Sequence, residues 1–149
     1  MVLEFELNWD SSGPEDLLLT TRGIASAEGI AAYRQAINAD ARLRPDILIL
    51  VDHRELDWSQ MTSPQIRTES SVFQRDARPL GNATMAVVMG STLDFGLMRM
   101  LHSQIPADVE IERAVFYSIE DARAWLAQRR VEPTAVPTSA AFHLTPGIA

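Results

Sequence analysis

Three short stretches carry residue types that could bind a ligand or perform chemistry. Arg99 is the only charge between Phe95 and Leu101. A guanidinium in so apolar a segment must reach solvent, pair with a carboxylate or hold a ligand. Asp52 and Glu69 are the carboxylates considered as its partners. Asp52, His53 and Arg54 follow an apolar run, and ligand sites in open α/β sheets collect at the C-terminal ends of strands. There Asp52 can orient Arg54 toward an anion or polar group, or can anchor a loop beside a surface arginine. Thr62 and Ser63 precede Pro64. A hydroxyl at a helix N-terminus serves either as a cap or as a phosphoacceptor, because free N–H groups and the helix dipole favour negative charge there. Phe95 and Met98 flank Arg99, and Met85, Met89 and Met100 are the other methionines nearby. Methionine suits both a core and an adaptable binding surface. Trp58, between Asp57 and Ser59, either plugs the core edge or anchors a partner.

Composition removes several chemistries. The 149 residues contain no cysteine, and all 13 basic residues are arginine. Thiolate chemistry, Cys-ligated zinc, Schiff bases and the P-loop lysine are therefore absent. The three histidines, at positions 53, 102 and 143, have no i, i+4 partner, so no metal site and no cofactor is expected. A net charge of −7 with no basic cluster argues against nucleic acid and anionic membrane surfaces. No apolar run approaches the roughly 20 residues of a membrane span. Glu4, Glu6 and Asp10 occupy the place of a signal peptide. The expectation is a cytoplasmic, non-catalytic domain.

The elements that position these residues follow from periodicity. Residues 3–8 alternate apolar and charged, as in a half-exposed strand. A turn-rich stretch over 8–16 leads to a second strand at 17–21, paired antiparallel with the first and ended by Gly23. Ser26 caps a helix running to about Arg42. The apolar run over 46–52 suits a strand buried on both faces. A polar loop over 53–62 precedes a helix over 64–77, with Ser63 as its cap. Residues 83–89 form another buried strand, and Ser91 opens an apolar third helix. A strand at 114–117 and a helix capped by Ser118 complete the domain at about residue 130. Residues 131–149 hold three prolines and one formal charge, and read as a tail without regular structure. The order β-β-α-β-α-β-α-β-α implies an α/β domain, with about four helices around a mixed, mostly parallel sheet of about five strands.

This ordered series resembles the SpoIIAA-like (STAS/SEC14-like) family of small bacterial domains, which have the STAS fold of the anti-sigma-factor antagonists. The residues carrying the resemblance are Gly23 with the helix after it, residues 40–45, residues 48–54, residues 95–100, Val115-Phe116, and Ala122 with Trp125 and Leu126. They span about residues 3–128. The resemblance implies protein–protein recognition, in some relatives controlled by serine phosphorylation, and also a possible lipid-like ligand. The antagonists carry an Asp-Ser pair at the start of the helix after the central strand. Residues 61–64 offer the hydroxyls of Thr62 and Ser63 without that pair. Asp10-Ser11 has the right composition but falls in the first hairpin loop.

Two functions follow as expectations. The first is an interaction domain, a homodimer or a partner of another protein, using the apolar third helix. The second is a small hydrophobic-ligand site beside that helix, with Arg99 or Arg54 holding a polar head.

Overall fold

In the computed structural model, strand β1 (Glu4–Asn8) pairs antiparallel with β2 (Leu17–Ile24). Strands β3 (Leu48–Asp57), β4 (Thr84–Met89) and β5 (Glu112–Phe116) then add in sequence order, all parallel to β2. The structure describes residues 2–62, 64, 65, 68, 83–103, 112–131 and 142–144. Three helices have their bounds within these residues: α1 (Ala27–Asn38), α2 (Thr92–Ser103) and α3 (Ile119–Val131). The helix expected over 64–77 lies largely outside the described residues, although Pro64, Gln65 and Thr68 are helical.

Helices α1 and α2 lie on the same face of the sheet. Ile30 and Ile37 of α1 and Met98 of α2 accordingly pack with Leu17, Leu19, Ile49, Val51, Val87 and Met89. Helix α3, between β5 and residues 142–144, covers the opposite face, where Trp125 and Leu126 meet Leu48, Leu50, Ala86, Val88 and Phe116. Strands β3 and β4 are thus covered on both faces, which accounts for their unbroken apolar runs. Each fully buried Leu, Val or Phe contributes about 1.5–3 kcal/mol relative to exposure.

The helix starts are set by serine caps. Ser26, Ser91 and Ser118 accept from the backbone N–H groups of Gly29, Asp94 and Asp121, each at 3.1 Å. Each satisfies one of the donors that a helix leaves unpaired.

Four boundaries differ from the sequence expectation. Gly23 does not end β2. It lies within the strand at φ +93°, and an added Cβ would sit 2.2 Å from the Val2 carbonyl oxygen, so the close approach of the N-terminal segment requires glycine there. Helix α1 stops at Asn38 rather than Arg42, because Asp40 draws the Arg42 N–H and guanidinium into a local turn. Strand β3 runs on to Asp57, through the first half of the stretch expected as a loop. The register with β2 slips between Thr20 and Arg22, since Thr20 pairs with Asp52 and Arg22 with Glu55. This bulge inserts an extra residue, so that His53, Leu56 and Trp58 all point into the core while Arg54 and Glu55 stay exposed. The polar composition of the segment hides an inward set that is out of phase with a regular strand. Finally, Phe142–Leu144, placed by the sequence in an irregular tail, forms a three-residue strand β6 parallel to β5. It gains backbone pairing that apolar periodicity over three residues cannot signal.

Candidate functional site at the C-terminal edge of the sheet

Arg54 emerges from the β3 bulge and folds back on Asp52. Its Nε donates to Asp52 Oδ1 at 2.9 Å and its Nη2 to Oδ2 at 2.9 Å, while the Arg54 backbone N–H reaches Oδ1 at 3.1 Å. Burial by itself would raise the Asp52 carboxyl. The Arg54 hydrogen bonds outweigh it and hold the group below its ordinary value. Arg54 is raised in turn by the Asp52 hydrogen bond, and the nearby charges of Glu120 and Glu55 act in the same direction. The orienting role expected of Asp52 is therefore present. The guanidinium is paired with Asp52, and the charges of Glu55 and Glu120 also act on it. Gly90, just after β4, lets this arrangement close, because an added Cβ would lie 2.5 Å from the Arg54 carbonyl oxygen.

His53 in β3 and Trp58 just after its end turn inward. Their rings meet edge to face at 5.3 Å, and Tyr33 of α1 approaches His53 at 6.3 Å between centroids. The Thr21 hydroxyl is 2.7 Å from His53 Nδ1. Burial drives His53 down to about 4, opposed by the Asp52 charge, so the ring is neutral at physiological pH. Trp58 is 5% exposed. It belongs to the core, and the anchoring role for a partner gives way to the plug.

At the next turn, Thr62 acts as a cap. The Gln65 N–H donates to Thr62 Oγ1 at 3.3 Å, and the Thr62 N–H donates to Gln65 Oε1 at 2.7 Å. This reciprocal pair is a capping box with Gln in the third position. Ser63 lies outside the described residues. The Asp10-Ser11 pair stays in the β1–β2 loop, where Ser11 donates to Glu15.

Helix α2 divides its side chains. Met98 is buried with Met89, and Leu97 and Met85 pack partly against the same core. Gly96, Arg99, Met100 and Ser103 are exposed. Their i, i+3, i+4, i+7 spacing makes one outward stripe. Met100 is 40% exposed, and an added Cβ at Gly96 would meet nothing within 4 Å. Arg99 makes no ion pair among the described residues. Asp52 is committed to Arg54, and Glu69 lies outside the described residues, as does the side chain of Phe95. Of the expected set, the structure joins Asp52 to Arg54, sends Met98 and Trp58 into the core, and leaves Arg99 on the surface.

A second polar cluster was missed by sequence reasoning. Glu15, in the β1–β2 loop, has a fully buried side chain bonded to Ser11 and to Arg123 of α3, whose Nη2 is 2.9 Å from Oε2. Next to it, Asp16 accepts from the Leu48 N–H at 2.9 Å and pairs with Arg44 at 2.8 Å and Arg130 at 2.7 Å. The partners are up to 114 residues apart, so no local pattern marks them. Among the described residues, no group of three or more histidines and carboxylates is placed to hold a metal, and no helix is long and apolar enough to cross a membrane. Comparison with family models finds no match, and comparison with curated proteins finds none either.

Proposed function

We propose that the chain is a recognition domain of the STAS type, working without catalysis as a homodimer or against another protein. The single observation that carries this reading is the outward stripe of α2. It combines an accessible methionine, an arginine with no ion pair among the described residues, and a glycine that admits close approach. Aromatic, methionine and arginine side chains are the ones enriched where proteins meet. The antiparallel β1 followed by sequential parallel strands supports the STAS likeness. The four-helix count of that fold requires the helix over 64–77. A phosphoswitch has less support, since the Thr62 hydroxyl is engaged as a cap. A hydrophobic-ligand site also has less support, since Met98 packs in the core.

Native mass spectrometry of the protein purified from its own host tests this reading. The expected result is a dimer, or a complex with a second polypeptide, without small-molecule mass. A small-molecule adduct lost on denaturation would replace recognition with the hydrophobic-ligand reading.

A further inference from the structure

Strand β1 stands at the end of the sheet, with β2 on one side and no strand on the other in the described structure. An edge strand leaves a row of backbone N–H and C=O groups open to pairing. The two faces of β1 differ sharply. Glu4 and Glu6 are exposed on one face, while Phe5 and Leu7 on the other are only partly buried against the core. On its inner side, β1 already shows which neighbour it favours. Glu4 lies opposite Arg22 of β2 and pairs with it at 3.4 Å. Opposite charges facing each other across strands stabilise a sheet, and like charges destabilise it.

We infer that the open edge of β1 docks an extended segment of another protein in which basic and apolar residues alternate. Basic residues of the added strand would face Glu4 and Glu6, repeating the Arg22 arrangement. Its apolar residues would cover the remaining exposed area of Phe5 and Leu7. Backbone hydrogen bonds would supply affinity and the alternation would supply specificity, as in other strand additions. The net charge of −7 favours approach of a basic segment. A second copy of this chain does not fit. Pairing all five residues of β1 with β1 of another copy, parallel or antiparallel, sets Glu6 against Glu6. This surface is separate from the α2 stripe, so either can fail without the other.

The test uses the full chain, labelled for amide NMR, and three synthetic probes. One peptide alternates arginine and valine, one alternates glutamate and valine, and one set repeats the first with backbone N-methylation at alternate residues in both phases. The arginine peptide is expected to bind saturably, to shift and protect amides within residues 4–8, and to weaken as salt rises. N-methylation in one of the two phases is expected to abolish binding. The double change Glu4→Lys with Glu6→Lys is expected to weaken the arginine peptide roughly tenfold and to favour the glutamate peptide. Both positions are exposed, and circular dichroism checks that the variant folds. Met100→Arg should leave the titration unchanged. Lack of saturable binding, shifts that avoid β1, or indifference to both N-methylation and charge reversal would overturn the inference.

Discussion

Arg123 of α3 closes over the Glu15 carboxylate, with Nη2 2.9 Å from Oε2, and seals a side chain that has no solvent exposure of its own. The contact ties the β1–β2 loop to the helix on the far face of the sheet, across 108 residues of sequence. A buried carboxylate is tolerated only when its hydrogen bonds are supplied. Arg123→Ala removes that supply and leaves the charge stranded with Ser11. We expect a loss of about 2 kcal/mol, the scale of a hydrogen bond to a charged group. Urea unfolding measures it, and Arg123→Lys should recover part of the loss.

His53 makes stability depend on pH in a defined window. Its folded value is depressed from 6.5 to about 4. Above about 6.5 both states are neutral there, and the full contribution is present. As pH falls from about 6.5 toward about 4, only the unfolded chain takes up the proton, and stability drops by about 1.4 kcal/mol per pH unit. His53→Phe should flatten that slope in urea unfolding run across the window. The Thr21 hydroxyl keeps a partner in this variant, because it also lies 3.3 Å from the Asp52 carbonyl oxygen.

The carboxylates add a lower window. Burial alone would raise Glu15 and Asp16. Hydrogen bonds from Arg123 and Ser11 on one, and from the Leu48 N–H and Arg130 on the other, leave both below their ordinary values. Their contribution is complete above those ordinary values, near 4, and is lost as pH falls through the lowered ones. Acid unfolding of Asp16→Asn should therefore show a shallower fall below about pH 4 than the parent chain.

Gly90→Ala tests the packing behind Arg54. The new methyl group would press on the Arg54 carbonyl oxygen from 2.5 Å, and backbone there cannot swing aside as a long side chain can. We expect a cost of about 1–3 kcal/mol, typical of overpacking. Amide shifts should concentrate at residues 52–57.

Thr62→Ala removes one side of the capping box at Gln65. The expected cost is about 1 kcal/mol, with Thr62→Asp restoring most of it. Thermal unfolding of the pair distinguishes a cap from an ornamental hydroxyl.

The outline of the fold was legible because period and burial agreed. The run over 46–52 announced a strand covered on both faces, and the serines at 26, 91 and 118 announced three helix starts. The site was less legible for two physical reasons. The β3 bulge broke the alternation, so Trp58 read as a loop residue although it is core. Glu15 and Arg123 meet only through the tertiary fold, and a glutamate in a turn-rich loop carries no local mark of burial. Asp52 and Arg54 were legible as a pair because they are two residues apart on one strand. Glu120 comes near Arg54 only through the tertiary fold, so its charge there has no local mark in the sequence.

Sedimentation equilibrium of the parent chain beside Met100→Arg tests the recognition surface most directly. Met100 is exposed and Arg99 has no ion pair among the described residues, so the change should leave folding within about 0.5 kcal/mol of the parent. The account predicts that the parent self-associates, or associates with a partner polypeptide co-purified from its host. Met100→Arg would then sediment as a folded monomer. An association that survives Met100→Arg unchanged, or a parent chain that stays monomeric and partnerless, would contradict it.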